Sequence, residues 1–198
     1  MTLFHEHDYA PDAFEVRVSE LLVATADGGD ALINDSVPEV LKLLREHLRM
    51  DVVFVSEFVD GRRVFRHVNT APDRPSLIAA NESAPLEQSF CQRVVDGRLP
   101  GLVQDVAKLP DFDQLPATPF PVGAHLSVPI VLNDGRVYGT LCCFSTGANP
   151  ALAQRDLKKL EMSALLAARR IDADRTRETD KVTAAWSLEP QDDRSRAR

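Results

Sequence analysis

Apolar residues recur along this chain at two different spacings, and the switches between them mark out its elements. From Asp12 to Ala26, Phe14, Val18, Leu21, Leu22 and Ala24 fall at helical intervals, and Gly28-Gly29 ends the run. Ser36-Val37-Pro38-Glu39 predicts the start of the next helix as a capping box, with Val37, Leu41, Leu44 and Leu48 on one face. Asp51 to Phe58 is apolar and β-branched, Asp60-Gly61 is a turn signal, and Arg63 to Asn69 continues as the partner strand of a first hairpin. Thr70 to Glu82 reads as a loop. Ser83 ahead of Pro85, Leu86 and Glu87 then predicts a helix running to Asp96-Gly97.

Between Pro100 and Pro121 stand five prolines, which leave room for strand only at Gly101 to Gln104. The apolar members of that loop, Leu109, Phe112, Leu115 and Phe120, are expected to pack. A second hairpin follows, Leu126 to Leu132 and Val137 to Phe144, joined at Asn133-Asp134-Gly135. The last helix, Pro150 to Arg175, carries a stripe of Leu157, Leu160, Ala164, Ala167 and Ile171. This order predicts an α+β fold, an antiparallel sheet of five or six strands with helices segregated to the ends. The chain divides into a flexible N-terminus at 1–11, a single domain at 12–175 and a polar, disordered tail at 176–198.

Composition narrows the function classes. An apolar share of 44% suits a folded globule, and no apolar run approaches the roughly 20 residues that span a bilayer. The first dozen residues lack the basic start and apolar core of a signal peptide. A net charge of −7 argues against nucleic acid or anionic lipid as partner. Three cysteines, Cys91, Cys142 and Cys143, make no disulfide framework, and reduced thiols in a cytoplasmic protein are expected. No Cys-x-x-Cys or His-x-x-x-His spacing offers a zinc site.

Gly123 to Ser145, GAHLSVPIVLNDGRVYGTLCCFS, resembles the last hairpin of GAF domains, small sensor modules. Leu86 to Pro100 is similar to the mid-domain helix and turn of a GAF subgroup often fused to cyclic-di-GMP enzymes or sensor histidine kinases, and Leu102-Val103-Gln104-Asp105 to the short strand after it. The resemblance spans about residues 15 to 172. It implies a profilin-like sheet with terminal helices on one side and a helix-loop lid on the other. It also implies a small-molecule-sensing, non-enzymatic module that signals through a dimer and a partner protein. Bilin-binding members attach their pigment through a loop cysteine. Asp113 to Thr118 contains none, so no covalent bilin is expected and the cofactor stays open. The nucleotide-binding signature of phosphodiesterase GAF domains cannot be assembled.

The alternative is a thiol-dependent enzyme of the free methionine-(R)-sulfoxide reductase type, which has this fold. Cys91 falls near one of its redox cysteines, but the second cysteine expected between Asp105 and Gly123 is missing, so no such activity is expected. Strand alternation puts Cys142 and Cys143 on opposite faces, both as packing residues, and separates His125, Ser127 and Pro129 from Ala124, Leu126 and Val128. The candidate ligand site lies between the sheet and its lid. Phe90 and Phe112 serve there as walls, Arg93 and His125 as orienting groups, and Asp105, Ser127 and Thr140 as further polar contacts. Arg93 is also the cation expected to act on Cys91. The Leu157-to-Ile171 stripe, with Val18, Leu21 and Leu22, is expected to form the seam of a homodimer.

Overall fold

The computed structural model describes Val16 and residues 30–185. The Asp12 to Ala26 helix, apart from Val16, and both expected terminal segments other than residues 176–185 lie outside the described residues. Helix α1 spans Asp30–Leu48. It begins six residues before the predicted cap at Ser36 and keeps Pro38 in its interior. Proline in a first turn is an ordinary start signal, and here the helix continues through it, giving up one backbone bond.

Six strands form one antiparallel sheet in the order β3-β2-β1-β6-β5-β4. They are β1 (Val52–Val59), β2 (Arg62–Thr70), β3 (Ser83–Pro85), β4 (Leu102–Val103), β5 (Ala124–Val131) and β6 (Val137–Ser145). The β1–β2 turn holds Asp60 at φ 48° and Gly61 at φ 68°, the paired left-handed residues that match the twist of two strands. At the edge, Ser83–Pro85 pairs with Arg62–Val64, so the predicted long helix from Ser83 is shortened to α2 (Phe90–Val95). Pro85 sits where an edge strand tolerates it, and Ser89 is the cap, its Oγ accepting from Gln92 N at 3.1 Å.

Strand β1 shows no alternation because both of its faces are covered. Val53 and Val55 join Leu126, Val128, Ile130, Leu141 and Cys143 under α1 and the last helix, α3 (Gln154–Ala185). Val52 and Phe54 join Phe65, Cys142 and Phe144 on the opposite face, beneath Cys91 of α2. The loop after β4 makes 3₁₀ turns at Val106–Lys108 and Phe112–Gln114. Its Leu109 and Leu115 pack on Phe90, Leu99, Val103 and Val106, and Phe120 stacks on Phe144 at 5.3 Å. Phe112 does not pack as expected and remains 47% exposed.

The predicted dimer stripe is consumed inside the domain. Leu160 and Ala164 are buried against the sheet, and Leu157 and Ile171 pack beside them. The sheet's helix-facing side is apolar at its centre and needs that cover. Helix α3 also runs ten residues past the expected end of the domain, through the first part of the predicted tail. At 32 residues it is about 48 Å long, and Met162 and Leu165 on its outer surface stay about half exposed.

Candidate functional site

Register counted from the β5–β6 turn brings Ser127 opposite Cys142 and Pro129 opposite Thr140, while the β1–β6 pairing brings Ser56 opposite Thr140. Alternation then aims Ser127, Thr140 and Cys142 at the lid. These side chains form one buried polar string. Ser56 Oγ lies 2.8 Å from Thr140 Oγ1, Thr140 Oγ1 lies 3.1 Å from Cys142 Sγ, and Ser127 Oγ is 2.9 Å from Cys142 Sγ. Ser127 and Thr140 thus lie on the lid face, which alternation alone did not choose, and they bond within the layer.

Cys91 descends from α2 onto this string, its Sγ 3.4 Å from Cys142 Sγ. The cation beside it is Arg63, whose Nη1 donates to Cys91 Sγ at 3.5 Å, and not Arg93 as the sequence suggests. The Arg63 guanidinium lies over the Phe65 ring at 4.6 Å, which fixes it in an apolar layer. The hydrogen bond from Cys142, with Arg63 adding charge, holds the Cys91 thiol well below the ordinary thiol range. Burial, and then Cys91 itself, push Cys142 up. Cys143, on the other face, is pushed up by burial alone. Sequence reasoning missed both Arg63 and the Cys91–Cys142 approach. The available signal was that Cys142 shares the face of Thr140.

His125 is buried at 3% exposure, with its ring 5.4 Å from that of Phe90. Its Nδ1, Arg63 Nε and Arg93 Nε are buried and make no hydrogen bond among the described residues. Arg93 otherwise turns outward, Nη2 donating to Gln114 O at 2.7 Å, so it braces the second 3₁₀ turn. Asp105 also has a local task. It caps the first 3₁₀ turn by accepting from Ala107 N at 3.2 Å and pairs with Lys108 at 3.2 Å.

Outside this layer a hollow of about 790 Å³ opens along the proline-rich loop. Phe90, Asp105 and Phe112 line it, with Phe120, Val122 and Gly123, whereas Arg93, His125, Ser127 and Thr140 do not. The seven predicted residues therefore divide into Asp105 and Phe112 on the outer rim, His125, Ser127 and Thr140 in the buried layer, Phe90 against both, and Arg93 turned out to Gln114. A second hollow, about 370 Å³, lies between α1 and α3. Its walls are Val40, Leu44, Leu141 and Ile171, and its polar rim is held in ion pairs, Glu57 with Arg66 and Arg175 and Arg170 with Asp174. Among the described residues no three His, Cys, Asp or Glu side chains gather to hold a metal, and no helix is long and apolar enough to cross a membrane.

Burial, with a smaller effect of Arg63, pushes His125 down to about 4 from its ordinary 6.5. The folded protein therefore keeps this imidazole neutral in a range where the unfolded chain takes up a proton. Stability is complete above the ordinary value and falls as pH drops from there through the folded one. Urea unfolding is expected to show a loss of about 2 kcal/mol between about pH 7.5 and 5. His125→Gln removes most of it. The remaining slope belongs to His67, which burial and then Arg66 lower in the same direction.

The sequence matches the family model described as GAF domain over residues 33–172. A comparison with curated protein sequences returns no match. Among solved structures, free methionine-R-sulfoxide reductase from Neisseria meningitidis, in complex with its substrate, is similar, with a TM-score of 0.64 at 19% identity over 86% of this chain and 97% of that one. The GAF domain of Acinetobacter phosphoenolpyruvate-protein phosphotransferase superposes with a TM-score of 0.63 at 12% identity, over 85% and 97% of the two chains. The phycocyanobilin-bound GAF domain of a cyanobacterial phytochrome gives 0.64 at 15%, over 85% and 98%. At such identities the likeness shows the fold alone.

Proposed function

Since the chain belongs to the GAF domain family, we propose that it is a non-enzymatic sensor module that takes a small amphipathic molecule between its sheet and its lid. The observation that carries this reading is the buried His125 Nδ1, beside Phe90 and within the field of Arg63, whose Nε is also unbonded among the described residues. A buried polar atom without a partner costs about 1–3 kcal/mol, and a ligand with oxygen acceptors recovers it at the guanidinium N–H groups. The outer hollow supplies an apolar entrance of Phe90, Phe112 and Phe120, and the Phe90 ring on its wall also stands 5.4 Å from that of His125. The helix-side hollow is apolar within and ion-paired at its rim, so it offers a polar ligand less.

The module signals as a homodimer through the outer surface of α3, where Met162 and Leu165 are exposed, and passes its state to a partner protein along that helix. The cytoplasm is the compartment that suits its three reduced thiols. Native mass spectrometry of the protein tests ligand and dimer together. The expected spectrum shows a dimer with a non-covalent mass excess that is lost on denaturation and is absent from His125→Leu. A monomer without any excess, in wild type and variant alike, contradicts both parts.

A thiol-dependent reductase is the alternative that one observation favours, the approach of Cys91 to Cys142. Both thiols are fully buried, and no cysteine stands between Asp105 and Gly123 to complete a thiol cycle. Turnover of free methionine sulfoxide with thioredoxin is expected to be absent. Turnover by the wild type that is lost in Cys91→Ser favours the reductase instead.

A further inference from the structure

We propose that Cys91 and Cys142 form a redox-active dithiol that closes to a disulfide and pins the lid helix to the sheet. The two sulfurs come from elements 51 residues apart and meet at 3.4 Å, in a layer that holds them in register. A disulfide requires about 2 Å, a contraction that small rotations of two side chains supply. Arg63 donates to Cys91, and Ser127 and Thr140 contact Cys142, so the two thiols have different surroundings. Cys91 is the sulfur with thiolate character, and Cys142 is the one that keeps its proton.

The oxidant is a peroxide. The Cys91 thiolate attacks one oxygen of hydrogen peroxide, the O–O bond breaks, and the other oxygen leaves as hydroxide and is protonated to water. Cys91 is then a sulfenic acid. The Cys142 sulfur attacks the Cys91 sulfur, the S–O bond breaks, and hydroxide leaves with the Cys142 proton as a second water. Two thiols are oxidised by two electrons, and one peroxide is reduced to two waters. Peroxide is close to water in size. It reaches Cys91 through local opening of α2, an element of only six residues.

The resulting bond ties α2 to β6, a central strand, and so locks the layer in which His125 and Phe90 stand. The proposal does not depend on what the hollow binds. Cys143 is an internal control, because it lies on the opposite sheet face, fully buried among aliphatic side chains.

The test treats the folded protein with hydrogen peroxide, then quenches, denatures, alkylates and maps it by mass spectrometry. The expected result is an intact mass lower by two hydrogens, a Cys91–Cys142 linked peptide, and an alkylated Cys143. Dithiothreitol reverses the change. In Cys142→Ser the linked peptide is lost and dimedone traps a sulfenic acid on Cys91, while Cys143→Ser still forms the bond. Three intact thiols at peroxide doses that oxidise free cysteine would overturn the proposal. So would oxidation that halts at a Cys91 sulfinic acid in the wild type, or a disulfide between chains.

Discussion

Gly139→Ala is expected to destabilise the protein by about 3–4 kcal/mol and to lower its melting temperature by about 10 °C. The residue lies in β6 opposite Glu57, close to where β2 carries one extra residue, Arg66, against Val55 and Ser56 of β1. A Cβ built there meets the Ser56 carbonyl oxygen, Ser56 C at 2.7 Å and Glu57 Cα at 2.9 Å, all of them backbone or its direct continuation. No side-chain rotation relieves that overlap, so the two central strands must separate. Their separation also spreads Ser56 from Thr140, the first link of the polar string beneath the lid. Thermal unfolding followed by circular dichroism measures the effect. A change below about 1 kcal/mol would mean that β1 and β6 are not packed this closely.

The second large effect belongs to Leu160→Ala. Leu160 is fully buried, packed with Leu44, Leu126 and Ala164 between α3 and the sheet. Truncation removes the transfer energy of the lost carbons and leaves a cavity that a sheet of fixed spacing cannot close, a cost of about 3 kcal/mol. Leu165→Ala, five residues along the same helix at 49% exposure, is expected to change stability by less than about 0.5 kcal/mol. The pair separates two uses of one helix. Leu160 serves the domain's own core, and Leu165 serves the proposed dimer. Chemical denaturation gives the first difference, and sedimentation of Leu165→Glu gives the second, with loss of the dimer and an unchanged fold. Equal destabilisation by Leu160→Ala and Leu165→Ala would return the inner stripe to the role of a dimer seam.

What was legible in the sequence was what local chemistry decides. Asp60-Gly61 and Asn133-Asp134-Gly135 name their hairpins because few residues tolerate the backbone those turns need. Alternation from the second turn sorts His125 and Ser127 from Leu126 and Val128, and Cys142 from Cys143, onto the faces the structure gives them. Local signals misled where tertiary context outweighed them. Pro38 reads as a helix start and lies in a helix interior, and Ser83-Ala84-Pro85 reads as a helix start and is captured by the free edge of β2. The polar residues of the lid divided for the same reason. A sequence shows that Asp105 is polar, but not that its carboxylate is already used by Ala107 N and Lys108. The meeting of Cys91, Cys142 and Arg63 joins three elements across the sheet, so no spacing within the chain announces it.

The central claim is that the layer between sheet and lid receives a small molecule, and protein-observed NMR with a library of small amphipathic carboxylates and phosphates tests it most directly. The predicted result is a set of saturable amide shifts confined to Phe90, Cys91, Phe120 to His125 and Cys142, which His125→Leu abolishes while the rest of the spectrum is kept. Shifts gathered instead at Val37, Leu41, Tyr138 and Ile171 would place binding between the helices, on the other face of the sheet, and contradict the account.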